Sequence, residues 1–418
     1  MSTARPRRFF EGYGVELEYI LVSEDTLDVL PIADWFLQEI AGTQSVPSEV
    51  DIEGTSWSNE LVLHLVELKN TDPAPTLGEL PGRFQERLAS ANRLLRSRGA
   101  QLMPSGMHPW MRPRDETRLW PHEGREIYET FHRIFDCHRH GWANLQSAQL
   151  NLSFGDDEEF GRLHAGIRLL LPIMPALAAS SPICESRVSG MMDKRLDTYA
   201  TNARDIPSIS GDVVPEPVFS REEYERSILD RIYRDISRHD DGRVLRHEWL
   251  NARGAIAHFD RDAIEIRVLD MQECPAADVA ICSAVSIVVK ELVAERWVSY
   301  AEQRSWEVEP LARVFLGSIA DGDRAVVDDG SYLQCFGFPD RKASAGELWQ
   351  HLVETLALRE RPECRPLQVI LDQGPLARRI LDALHGEARP GTRVAREALD
   401  PIYRRLCRCL ALGEMFVR

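Results

Sequence analysis

The stretch that decides the reading of this chain is Phe10-Glu-Gly-Tyr-Gly-Val-Glu-Leu-Glu-Tyr-Ile-Leu-Val22. Two glycines open it. Val15, Leu17 and Tyr19 then alternate with Glu16, Glu18 and Ile20. Alternation at period two marks a half-buried strand. On such a strand Glu16 and Glu18 share a face, about 7 Å apart along the chain. Two neighbouring carboxylates on one face repel each other unless a cation lies between them. Taken alone, the stretch reads first as an ordinary strand with a solvated acidic face.

Similar strands follow. Val50-Asp-Ile-Glu-Gly54 reads as a strand and turn, and Asn59 to Lys69 carries Glu60 and Glu67. Ser147 to Phe154 sets Ala148, Leu150 and Leu152 against Gln149, Asn151 and Ser153. Ala263 to Leu269 carries Glu265 and Arg267 two residues apart, which by itself reads as a same-face ion pair. If these strands join in one sheet, one face is a polar floor and the other packs on helices. Oxygen donors gathered on a floor suit Mg²⁺ or Mn²⁺, and a nearby arginine suits phosphate oxygens. A separation of seven puts Glu60 and Glu67 on opposite faces of one continuous strand. Both reach the floor only if the chain bends before Leu63.

Helical patterns separate the strands. Helices are predicted over 31–42, 80–98, 224–237 and 277–303, with a turn or helix over 127–136. A long apolar helix over 156–180 is expected to kink or break at Pro172 and Pro175. Residues 206–219, with three prolines, read as a loop and a candidate mobile lid. From Ala345 onward helix follows helix. Strands separated by long helices, without a regular βα repeat, indicate an α+β fold.

The 418 residues are 44% hydrophobic and carry a net charge of −16, from 66 acidic and 50 basic side chains. That balance argues against general nucleic-acid or anionic-membrane binding. There is no apolar run of membrane-spanning length, and Arg5-Pro-Arg-Arg-Phe9 lacks a signal peptide's apolar core, so a cytoplasmic location is expected. The eight cysteines include no Cys-x-x-Cys pair and read as small buried residues of a reducing compartment. His132, Cys137, His138 and His140 form one dense group of softer ligands, at spacings that match no structural zinc pattern. His108, beside Pro109 and Trp110, reads as a packed loop histidine. There is no Gly-x-x-x-x-Gly-Lys loop, and Gly12-Tyr-Gly14 lacks the third glycine of a dinucleotide fingerprint.

Several blocks, in order, resemble glutamate–cysteine ligase family 2, the carboxylate–amine ligases. They are Gly14-Val-Glu16-Leu-Glu18-Tyr19; Glu60 and Glu67 seven apart; Ala148-Gln-Leu-Asn-Leu-Ser153 with Leu171 to Pro182; Ala263-Ile-Glu-Ile-Arg-Val-Leu-Asp270; and Ile370 to Arg379. The resemblance implies a glutamine synthetase-like fold, a curved antiparallel sheet with an acidic inner face and helices on the outer one. It implies a catalytic domain over 1–344 and a helical portion over 345–418 on the same domain. ATP and Mg²⁺ (or Mn²⁺) are the implied cofactors, and a carboxylate such as glutamate and an amine the implied small-molecule partners. A homo-oligomer is compatible with it. Carried over by position, Glu16, Glu18, Glu60, Glu67 and Glu265 are the metal-ligand candidates. Arg267 and Arg195 are the catalytic candidates; Arg267, Asn151 and Gln149 would face the nucleotide. Gln149 stands where the family commonly has a histidine, and it cannot gain or lose a proton. The implied reaction is phosphorylation of a carboxylate followed by amine attack. A phosphoryl transferase on the same scaffold and an inactive nucleotide- or amino-acid-binding relative are the alternatives.

Overall fold

The computed structural model describes residues 8–386 and 389–418. Its centre is an antiparallel sheet of eight strands: β1 (Tyr13–Ser23), β2 (Glu49–Ile52), β3 (Thr55–Asn59), β4 (Leu65–Asn70), β5 (Ala100–Met103), β6 (Ser147–Ser153), β7 (Ala255–His258) and β8 (Ala263–Asp270). The order is β2-β3-β4-β1-β6-β8-β7, with β5 added on β1. β1 is long enough to pair with β4 along one edge while β6 and then β5 share the other. Strands of this length need neighbours on both sides to satisfy their amides, so the acidic strand belongs in the middle.

Period-two burial sets the two faces. Val15, Leu17 and Tyr19 of β1, Val66 and Leu68 of β4, and Leu150 and Leu152 of β6 are fully buried on one side. Helices cover that side. α1 (Ala33–Ala41) brings Phe36 edge-on to Trp57, with ring centres 5.2 Å apart. α2 (Leu80–Leu95) contributes Leu80, Phe84, Leu88 and Leu95 at helical spacing. Two further helices of this layer, α4 (Asp157–Leu170) and α5 (Pro275–Val293), pack on each other and on the sheet. α3 (Arg125–Phe135) lies apart from them and walls the opposite, polar face.

Local chemistry explains the breaks. β2 and β3 meet in a two-residue turn at Glu53 and Gly54, whose φ angles of 48° and 80° give the hand that suits a hairpin. The apolar helix after Asp156 stops at Leu170, passes through a 3-10 turn at Leu171–Ile173 and resumes over Pro175–Ala178, so the two prolines break it as the sequence predicts. The helix predicted over 277–303 ends earlier, at Val293, and a short helix follows at Tyr300–Arg304.

Residues 206–219 differ from the lid reading. They form turns, but Ile206, Ile209, Val213 and Val214 are buried, and Arg253 pairs beneath them with Glu216. The prolines stop regular structure here; the apolar residues between them make the segment a packed wall. At the C-terminal end, α6 (Arg396–Leu412) packs on β5 and α2. A fully buried Arg379–Glu273 pair ties the segment before α6 to the start of α5. All eight cysteines are free and seven are buried. No helix among the described residues is long and apolar enough to cross a membrane.

Candidate active site

The polar face of the sheet floors a cavity of about 1260 Å³. Strand register decides which side chains meet on it. Glu18 of β1 lies opposite Glu67 of β4, Glu16 lies between Lys69 and Gln149, and Asn151 of β6 lies opposite Glu265 of β8. The strands come unusually close at Gly14, where a Cβ would meet the Asn151 Cβ at 3.0 Å. A side chain at that position would push β6 away from the floor.

Glu60 reaches the same floor by leaving the sheet. β3 ends at Asn59, and the chain turns through Leu61–His64 before β4 begins. That bend undoes the opposite-face geometry of a seven-residue spacing. One carboxylate oxygen each from Glu18, Glu60 and Glu67 lies within 4.8 Å of the other two. At an effective dielectric constant of 20, each unscreened pair at that distance repels by about 3 kcal/mol.

The protonation energetics follow from this crowding. Burial, and then repulsion from Glu67, pushes the Glu18 carboxyl up to about 7. Burial also holds Glu16 and Glu60 well above the usual carboxylate range, helped by Glu67 in both cases. The nearest fixed counter-charge is Lys69, whose Nζ lies 3.0 Å from Glu67 Oε1 and 3.4 Å from Glu49 Oε1. One ammonium does not neutralise the four carboxylates of Glu16, Glu18, Glu60 and Glu67. The donors are hard, anionic and convergent, which fits Mg²⁺ or Mn²⁺ and no soft metal.

Neutral donors hold these carboxylates in place. Ser147 N donates to Glu18 Oε2 at 2.7 Å, and Gln149 Nε2 donates to Glu18 Oε1 at 2.9 Å. Asn151 Nδ2 donates to Glu16 Oε1 at 3.0 Å, and Ser58 Oγ to Glu67 Oε1 at 3.0 Å. Gln149 and Asn151 thus share the floor, with their amide nitrogens on the acids.

Across the floor the charge changes sign. Arg267 donates to Glu265 Oε1 from Nε at 2.9 Å and from its terminal nitrogen at 2.6 Å. A register shift between Ile266 and Leu269 interrupts the β6–β8 ladder beside it. Despite burial, Arg267 and His258 hold the Glu265 carboxyl down at about 2. Arg195 borders the cavity but is committed elsewhere: its Nε donates to buried Asp270 at 2.6 Å and a terminal nitrogen to the Arg267 carbonyl at 3.0 Å. It braces the strand end that carries Arg267.

A profile of glutamate–cysteine ligase family 2 matches residues 13–403. The chain belongs to this family. An uncharacterised protein of Archaeoglobus fulgidus is 31% identical over 396 residues, covering 95% of this chain and 98% of its own. A Nocardioides protein provisionally named glutamate–cysteine ligase 2-1 is 25% identical over 303 residues, 71% of this chain and 72% of its own. The crystal structure of glutamate–cysteine ligase from Francisella tularensis in complex with AMP has a TM-score of 0.61 at 12% identity, covering 98% of this chain and 90% of that one. The glutamate–cysteine ligase family 2 chain therefore has the glutamine synthetase-like fold.

Within this family member the structure gathers Glu16, Glu18, Glu60, Glu67, Gln149 and Asn151 on one side of the floor. Glu265 and Arg267 stand on the other, outside the convergent trio. Lys69 and His258 are among the polar residues of the floor that were not singled out from sequence. Lys69 carried a signal, because it continues the Glu67 alternation. His258 carried only its place in Ala255-Ile-Ala-His258, ahead of an Asp-Arg-Asp turn. The softer-ligand group comes together only in part. His132, Asp136 and His138 converge, but the buried Cys137 thiol is pushed up to about 12 and His140 faces Glu185 at 3.1 Å.

Proposed function

We propose that the protein is an ATP-dependent carboxylate–amine ligase that forms an amide on the γ-carboxyl of glutamate or a closely related acid. The observation that carries this reading is the convergence of half-buried Glu18 and Glu60 with buried Glu67 on a floor that also holds Arg267. Family membership supports the reaction class.

Glu18, Glu60 and Glu67 would hold Mg²⁺ or Mn²⁺, with Glu16 beside them and Glu265 across the floor. Such a cation, when bound, neutralises phosphate charge that would otherwise repel an anionic acid. The chain's own groups do the rest. Asn151 and Gln149 fix the orientation of Glu16 and Glu18. Glu265 holds the Arg267 guanidinium flat, so its remaining donors face the cavity for phosphoryl oxygens. Arg195 positions Arg267 by gripping its carbonyl and Asp270. The walls at Tyr128, Phe131, Trp142 and Ile209 limit water around the reacting centre. In the proposed sequence a substrate carboxylate oxygen takes the γ-phosphoryl group and ADP leaves. The amine nitrogen then attacks the acyl carbon, phosphate departs, and the amine gives up a proton. No protein nucleophile is needed.

The test is ADP release from purified protein with Mg²⁺, across panels of acids and amines. Release that requires both an acid and an amine supports ligation. A stable phosphorylated product without an amine would replace it with phosphoryl transfer, and ATP binding without turnover with an inactive binding role.

A further inference from the structure

His258 ends β7 in the lining of the cavity and is 5% exposed. Nε2 lies 2.9 Å from Glu265 Oε2. Glu265 is ion-paired with Arg267 and only accepts, so Nε2 donates to it and Nδ1 is the ring nitrogen left for another partner. Nδ1 looks toward Glu248 Oε2 at 3.9 Å, beyond hydrogen-bond reach, and receives no hydrogen bond among the described residues. Asp260 closes the group: one ligand atom each from Glu248, His258 and Asp260 lies within 4.8 Å of the other two. Nδ1 thus faces the Glu248 carboxylate, with Asp260 in the same group and no donor between them.

We propose that Glu248, His258 and Asp260 bind a divalent transition-metal ion of the Zn²⁺ type, with His258 Nδ1 as its nitrogen ligand. An imidazole that binds metal through one nitrogen commonly gives its other N–H to a carboxylate, which is the arrangement His258 and Glu265 already have. One nitrogen and two carboxylates suit a transition metal better than Mg²⁺, in contrast to the all-oxygen trio on the floor. The surrounding charge agrees. Burial and Asp260 raise the Glu248 carboxyl above its ordinary value. Nearby cations are engaged elsewhere or loosely placed: Arg221 pairs with Glu225 at 2.7 Å, and Arg261 Nε is 3.8 Å from Asp260 Oδ2 on an exposed edge. Asp260 is exposed, which leaves a path for the ion.

The alternative group, His132, Asp136 and His138, lacks this preparation. His132 Nδ1 accepts the Cys137 N–H at 3.1 Å, so coordination through Nε2 would put a second proton against that bond. At the His258 site, coordination instead locks the tautomer that holds Glu265, and through it Arg267. Only this last consequence rests on the ligase reading; the binding itself does not.

The test is calorimetric titration of Zn²⁺ into the full chain with millimolar Mg²⁺ present to occupy the floor. One Zn²⁺ should bind per chain. The Glu248→Gln, Asp260→Asn double variant should bind it at least about tenfold more weakly with an unchanged thermal midpoint, and His258→Gln should lose it. Glu18→Gln should leave it intact. Absence of stoichiometric Zn²⁺ binding, its survival in the double variant, or its loss in Glu18→Gln would each overturn the proposal. ADP release is not part of the readout, so failure here is distinct from failure of the ligase reading.

Discussion

Single residues on this floor are held by opposing forces, and substitutions should expose the opposition. Glu60 sits within 4.8 Å of Glu18 and Glu67, and the Lys69 ammonium offsets that crowding only in part. Glu60→Gln keeps the shape and removes one charge. The metal-free variant is therefore expected to be more stable than the parent by about 1–3 kcal/mol, while the stabilisation by Mg²⁺ disappears. Calorimetric melting in chelator and in Mg²⁺ reads both effects, and a variant less stable in chelator would contradict the repulsion argument. Arg195 has the opposite character, because its partner Asp270 is fully buried. Arg195→Met leaves that carboxylate unpaired and should cost about 3–5 kcal/mol in urea unfolding. A cost below 1 kcal/mol would mean Asp270 is held by Ser180 and Ser181 alone.

At the scale of elements, the floor depends on how closely β1 and β6 approach. Gly14 faces Asn151 across the ladder, and a Cβ there already stands at 3.0 Å. Gly14→Val is expected to part the strands locally, break the Asn151–Glu16 hydrogen bond and cost about 1–3 kcal/mol. Its distinctive effect should fall on ATP turnover, which is expected to drop more than stability predicts. Steady-state kinetics below the melting transition separates the two, and unchanged turnover would show that the floor tolerates the displacement. The bend at Leu61–His64 is the other element on which the site depends, because it turns Glu60 inward after β3 has ended.

At the scale of the whole molecule, buried titratable groups set the pH response. His64 and His108 are held down at about 4 and His164 at about 3, in each case by burial. Below about pH 6.5 the unfolded chain takes up protons that these native rings refuse, so stability falls as pH falls. At pH 5 the loss is about 2 kcal/mol per histidine. Glu18 acts in the opposite direction: its native carboxyl, near 7, takes up a proton before the unfolded one does, which adds stability as pH drops from 7 toward 4.5. Urea unfolding of metal-free protein from pH 7.5 to 5 should therefore show Glu18→Gln losing stability more steeply than the parent. Parallel curves would place the Glu18 carboxyl at its ordinary value.

The α+β class, the acidic strand, the polar strand faces and the proline breaks were legible in the sequence, because alternation and backbone chemistry are local properties. Family membership was legible too, from blocks quoted in order along the chain. The packed wall at 206–219 was not, because three prolines look the same in a lid and in a buried turn; the apolar residues between them reveal their burial only once α4 and β7 are in place. The convergence of Glu60 with Glu18 and Glu67 required the chain to leave β3, a three-dimensional event with no period in the sequence. His258 went unremarked because nothing local distinguishes it. Its meaning comes from Glu265 on one side and Glu248 and Asp260 on the other, and only the pairing of β7 with β8 and the fold of the preceding loop bring those partners to the two nitrogens of one ring.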